Sequence, residues 1–189
     1  MLNNENVWNN SNLIQTLKNG GVVVMPTDTI YGLVGLAENE STVNRIYDIR
    51  NRDLKKPCII LIGDIEELKK FSINLTEAEK NKLMEFWPGP VSVVLDCDNS
   101  KLAYLHKSTN TLAFRIPAQE ELRALLVKTG PLVAPSANLA TRSPSETMDE
   151  AREYFGDKVD LYEDGGLIKS KASRVIRLHK DGGVSILRS

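Results

Sequence analysis

The sequence is short of the residues that metal, disulfide and membrane chemistry require. Its 189 residues hold two cysteines and two histidines. Cys58 and Cys97 have no CxxC spacing, and apolar strand-like sequence flanks both, so buried thiols are expected rather than a disulfide or a metal site. His106 and His179 stand alone, without the ligand cluster that a zinc site needs. No apolar run approaches the roughly 20 residues that span a bilayer. The polar, Asn-rich start "MLNNENVWNNSN", about residues 1–10, is not a secretory signal, and the expectation is a cytoplasmic protein with no membrane association. Charge of one sign is also missing: 24 Lys and Arg against 25 Asp and Glu give a net charge of −1, which argues against a globally basic nucleic-acid surface. GxxxxGK[ST], GxGxxG and GxSxG are all absent, and neither His sits in a setting that suits Ser/His/Asp catalysis.

What is present is 41% apolar sequence, enough for a sizeable core, in an alternation of strand-like and helix-like stretches. "SNLIQTLKNGG" predicts a helix capped by Ser11, and "STVNRIYDIRNR" predicts another capped by Ser41. Thr76 with Glu79 three residues later predicts a capping box. Strands are expected at "VVVM", "IYGLVGLA", "CIILI", "VSVVL" and "TLAFRIP", with short ones to finish the chain. "RDLKKP" is expected to be a loop, since Pro57 disfavours helix just before it. The fold class is therefore α/β: one domain over 1–189, with a twisted, mixed parallel and antiparallel sheet and flanking helices.

Four polar insertions interrupt this apolar sequence. Thr27-Asp28-Thr29 with Tyr31 joins two strands, and serves either as a self-bonded turn or as part of a pocket wall. "RNRDLKKP" gathers Arg50, Arg52, Lys55 and Lys56. This is either a solvated face or an anion site at a strand-end crevice, where open α/β sheets bind ligands. Arg115 lies inside an apolar strand, a costly position unless the charge is paired with an acid or bound to an anion. In "APSANLATRSPS", Ser136 and Asn138 flank Ala137 and can face one side. Together they describe an anion-binding cleft lined by Thr, Arg, Lys, Ser and Asn, without naming a reaction.

"PTDTIYGLVG", "IRNRDLKKPCIILI", "FWPGPVSVVL", "LAFRIP" and "APSANLATRSPS" occur in one order, with a terminal "ILR". Together they resemble the YrdC/TsaC family, the threonylcarbamoyl-AMP synthases, from about Gly20 to Arg188. The resemblance implies a YrdC-like fold in its short single-domain form, with a concave basic cleft. It implies a nucleotidyltransferase that joins L-threonine, bicarbonate and ATP, with Mg²⁺ carried on the ATP phosphates, into threonylcarbamoyl-adenylate and pyrophosphate. The product would pass to a transferase system that modifies the tRNA adenosine next to the anticodon. By position, Thr29, Arg115 and Ser173 match threonine-side residues. Arg52, Lys56, Thr111, Ser136, Asn138 and Arg188 match the ATP side, and Arg50 and Arg52 are the expected catalytic cations. No protein-held metal is implied.

The sequence departs from the family where Lys-x-Arg-Pro is usual: here it reads Arg50-Asn51-Arg52-Asp53, with a fork in place of a point charge and an added carboxylate. Ala140 and Thr141 also depart from the usual Ser and Gly. The alternatives are a paralogue of the same fold that binds nucleotide without synthase activity, or an RNA-binding module, including tRNA contact through the basic cleft.

Overall fold

The computed structural model describes residues 7–51 and 57–189. The expected loop "RDLKKP" therefore lies, apart from Pro57, outside the described residues. Among the described residues nine strands form one mixed sheet: β1 (Val23–Pro26), β2 (Tyr31–Leu36), β3 (Ile59–Leu61), β4 (Val91–Asp96), β5 (Thr111–Arg115), β6 (Leu132–Val133), β7 (Leu161–Tyr162), β8 (Arg174–Leu178) and β9 (Val184–Arg188). Their order is β7-β1-β2-β6-β3-β5-β4-β8-β9. β1 with β7, β3 with β5 and β4 with β8 run parallel, and the other neighbours run antiparallel.

Six α-helices among the described residues pack on the sheet: α1 (Ser11–Lys18), α2 (Glu40–Arg50), α3 (Glu77–Met84), α4 (Ala103–His106), α5 (Glu120–Thr129) and α6 (Met148–Phe155). The expected capping box is present, with Thr76 Oγ1 accepting from the Glu79 amide and Glu79 accepting from the Thr76 amide. The two other expected caps shift. Asn10, not Ser11, accepts from the Asn12 amide at 2.8 Å, and Asn39, not Ser41, accepts from the Thr42 amide at 3.1 Å. A cap residue must itself be non-helical, and Asn10 and Asn39 are the extended residues just before each helix. Cys58 and Cys97 are buried thiols, as expected. No helix among the described residues is long and apolar enough to cross a membrane.

The two faces of the sheet are covered unequally, and this creates the site. On one face, Ile60, Phe114, Val93 and Ile176 lie in register across β3, β5, β4 and β8. They pack into one continuous core with Val43, Ile46 and Tyr47 of α2 and with Met148, Ala151 and Phe155 of α6. On the other face, Leu13 and Leu17 of α1 and Leu122, Leu125 and Leu126 of α5 cover β1, β2 and β6 and reach Leu61 of β3. The opposite-facing row Ile59–Ala113–Val94–Arg177 remains half-buried among the described residues, with Ile59 at the edge of this second core. Side chains alternate across a strand, so the same four strands give a sealed core row and an open floor.

Close packing seats α2 on β2. A Cβ on Gly35 would stand 2.4 Å from Thr42 Cγ2, so this glycine lets the helix lie directly on β2.

Candidate active site

The open floor and the β1–β2 turn enclose a cavity of about 340 Å³. It lies over a sheet face rather than in the strand-end crevice that the sequence suggested. Thr29, Thr111, Arg115, Ser136, Ser173 and Arg188, named from the sequence, all line it. They come from β5, β9 and three segments outside the strands, so only the folded sheet brings them together.

The Thr27–Thr29 stretch serves both purposes left open by the sequence. Thr27 Oγ1 donates to the Ile30 carbonyl at 2.7 Å and accepts from the amides of Thr29 and Ile30, which closes the turn on itself. The Asp28 side chain is then free to leave the turn. Its Oδ1 accepts from Arg115 Nε at 3.1 Å and Nη2 at 2.8 Å, and both side chains are no more than 4% exposed. Arg115 is thus an acid-paired charge in an apolar strand that also borders the cavity.

A polar relay extends from this pair. Arg115 Nη1 approaches Ser92 Oγ at 3.5 Å, and Ser92 Oγ lies 2.9 Å from Ser173 Oγ. Arg188 donates to the Ser173 carbonyl from Nε at 3.1 Å and Nη2 at 2.7 Å. Burial pulls Arg115 below the ordinary guanidinium range, Asp28 pulls it back up, and nearby Arg188 pushes it down again. Two guanidiniums against one carboxylate leave this end of the cavity positive, which suits an anionic ligand.

Arg50 and Asn138 do not line the cavity. Arg50, the last residue of α2, is 2% exposed. Its Nε donates to the Asn138 carbonyl at 2.9 Å, and its Nη2 donates to Asn138 Oδ1 at 2.9 Å and to Ser136 Oγ at 3.2 Å. The Asn138 amide donates to the carbonyls of Leu139 and Arg142. These two residues therefore brace the Ser136 loop from behind. The sequence named both as ligand-side residues; among the described residues they meet each other and the Ser136 loop rather than lining the cavity. Arg52 and Lys56 lie outside the described residues, although Pro57 lines the cavity.

Sequence reasoning passed over Ser92 and Arg177. Ser92 is fully buried, and its register beside Arg115 was hidden without the strand pairing. Arg177 lines the cavity, and its signal was period two: Val175 and Arg177 of β8, with Ser173 just before the strand, all line it. A bulge where β9 gains a residue between its pairings to Val175 and Ile176 brings both Leu187 and Arg188 to the cavity.

The Sua5/YciO/YrdC family model, whose description reads "Telomere recombination", matches residues 15–189. The chain belongs to this family. The threonylcarbamoyl-AMP synthase of Hahella chejuensis is 33% identical over 162 residues, covering 85% of this chain and 88% of that protein. The protein of the same name from Pyrococcus abyssi is 32% identical over 152 residues, which is 79% of this chain and 44% of the relative. The crystal structure of P. abyssi Sua5 complexed with L-threonine superposes with a TM-score of 0.83 at 29% identity, covering 93% of this chain and 52% of that one. The chain thus spans about half the length of that Sua5. E. coli YciO, at 24% identity and a TM-score of 0.80, shares the fold.

Proposed function

We propose that this protein is a threonylcarbamoyl-AMP synthase that uses L-threonine and ATP. The observation that carries the reading is one cavity that gathers Thr29, Arg115 and Ser173 at a positive end and Thr111 at the other. It occurs in a chain similar to named synthases over most of its length. Finer parts of the same reading are that bicarbonate is the third substrate, that Mg²⁺ arrives on the ATP phosphates, and that the reaction is a nucleotidyl transfer. The product then goes to a tRNA-modifying transferase system, in the cytoplasm, and the whole chain acts as one domain.

The chemistry assigned to the residues is positioning and charge stabilisation. The threonine carboxylate is held at the Arg115 end, with Thr29 and Ser173 as hydroxyl partners. Threonine's amine attacks bicarbonate, and loss of water leaves a carbamate. A carbamate oxygen attacks the α-phosphorus of ATP, and the bond to the bridging oxygen breaks as pyrophosphate departs. Negative charge accumulates on the transferring phosphoryl group, and Arg188 beside Ser173 is the described cation positioned to offset it. Arg52 and Lys56 complete the phosphate contacts in this reading, while Arg50 holds the Ser136 loop in place.

The test is a mass-spectrometric assay of purified protein with ATP, Mg²⁺, L-threonine and bicarbonate. Threonylcarbamoyl-adenylate that requires both threonine and bicarbonate is the expected result. Asp53, a carboxylate inside the basic segment, favours one second reading: a nucleotide-binding paralogue. That reading is met by thermal stabilisation with ATP and no product. Steeply salt-dependent RNA affinity with no ATP binding would instead support an RNA-binding module.

A further inference from the structure

Arg177 is placed and held in a way that the threonine-side relay does not explain. It lies on the cavity face of β8, four residues beyond Ser173, which is about 13 Å at the usual strand rise. On β5 the same distance separates Arg115 from Thr111, whose register partner is Asp96. The floor between the two ends is apolar, made of Val94, Ala113 and Val175, with Leu187 at its β9 side. Among the described lining residues the cations are Arg115, Arg177 and Arg188. Arg115 and Arg188 meet at the Ser173 end, which leaves Arg177 as the described lining cation at the other.

The Arg177 guanidinium makes one side-chain hydrogen bond among the described residues, from Nη2 to Asp96 Oδ1 at 2.8 Å. The two side chains are 39% and 45% exposed, so the pair contributes little to folding. What the pair does is aim a planar five-donor group beside an acceptor at the end of an apolar strip. A second cavity adjoins this end, where the carboxylates Glu79, Asp96 and Asp98 outnumber the cations Arg177 and Lys180 beside Thr109 and Thr111.

We infer that Arg177 is a nucleotide-binding residue, and that with Asp96 it holds the nucleoside half of ATP at the end of the cavity away from Arg115. The inference rests on the synthase reading, which places threonine and the reacting phosphorus at the Arg115–Ser173 end. A nucleotide anchored there reaches the far end with either its nucleoside or its terminal phosphates. Asp96 decides between them. A carboxylate in contact with Arg177, with two more beside it, repels phosphate, whereas a neutral nucleoside offers acceptors to Arg177 and donors to Asp96. The apolar floor matches the face of a base, as ligand pockets commonly do.

The experiment is calorimetric titration of wild type and Arg177→Gln with ATP, AMP and pyrophosphate. A nucleoside contact predicts that ATP and AMP each bind about tenfold more weakly to the variant, the effect of one charged hydrogen bond. Pyrophosphate affinity and the melting temperature without ligand should stay as in wild type. Equal nucleotide affinity in the two proteins overturns the inference. So does loss of ATP and pyrophosphate binding with AMP binding kept, because that places a phosphate on Arg177. Wild type that binds none of the three overturns the synthase reading and this inference with it.

Discussion

Arg115 donates two hydrogen bonds to a single oxygen of Asp28, and neither side chain is more than 4% exposed. The pair therefore joins the β1–β2 turn to the middle of the sheet. Removing one member leaves a buried, uncompensated charge, which costs about 3–5 kcal/mol. Asp28→Ala should lower the melting temperature by about 10 °C, and the added change Arg115→Met should restore part of it. A single variant that melts with the wild type would mean that the pair is not structural.

Arg50 tests whether a buried arginine acts on the ligand through its neighbours. Arg50→Met leaves the carbonyl and Oδ1 of Asn138 without the donors they have now, each a loss of about 1–3 kcal/mol. The Ser136 loop should loosen. The expected result is a KM for ATP raised about fivefold, with the KM for threonine unchanged and partial rescue by Arg50→Lys. A collapse of kcat with both KM values intact would instead place Arg50 on the reacting atoms.

How far the sequence reached is clearest at these same residues. Strand and helix periodicity located the core, because apolar side chains must face inward at spacings that the chain itself displays. The capping box was legible because Thr76 and Glu79 are three residues apart and bond each other. Arg115 stood out because a charge in an apolar strand is costly. Its partner Asp28 lies 87 positions away, and nothing local selects it from the other acids. Ser92 owes its place to cross-strand register, a property of pairing rather than of sequence, whereas Arg177 shares a period-two face with Val175 that the sequence does display. Arg50 both opens the basic cluster and ends a helix, and its inward turn depends on packing that the cluster alone does not display.

Acid should weaken the anchor between α2 and the start of β1. Asp160 Oδ1 accepts from Arg45 Nη2 at 3.1 Å, and its Oδ2 accepts from the Val22 amide at 2.7 Å. The Arg45 hydrogen bond, with help from the Val22 amide, holds the Asp160 carboxyl below its ordinary 3.8, while burial pushes the other way. A depressed folded value means that the stabilisation is complete above pH 3.8 and is lost as pH falls through the lower folded value. Asp160→Asn should therefore melt lower than wild type at pH 7. The gap should shrink as pH falls below about 4 and close once pH has passed through the lower folded value. A gap that stays constant with pH would show that the carboxylate charge contributes nothing.

Tyr31 fastens the segment that leads to the Ser173 side of the cavity. Its hydroxyl accepts from the Gly165 amide at 2.9 Å, donates to the Gly166 carbonyl at 2.7 Å and lies 3.2 Å from Asp164 Oδ1. Burial is the main reason that its pKa is pushed up to about 12. A raised folded value in a phenol means that the hydroxyl's contribution is complete below the ordinary pH 10 and is lost as pH climbs through about 12. Tyr31→Phe removes these bonds while keeping the buried ring, at a cost of about 1–2 kcal/mol. The amide of Gly165 should then exchange with solvent at least about tenfold faster, and the ultraviolet phenol titration should lose its component near pH 12 while Tyr104 and Tyr162, also raised by burial, still titrate late. If residues 163–166 hold Ala172 and Ser173 in place, the KM for threonine rises in the same variant while ATP binding is kept. Faster exchange with an unchanged KM would restrict Tyr31 to folding and detach this segment from the threonine end of the site.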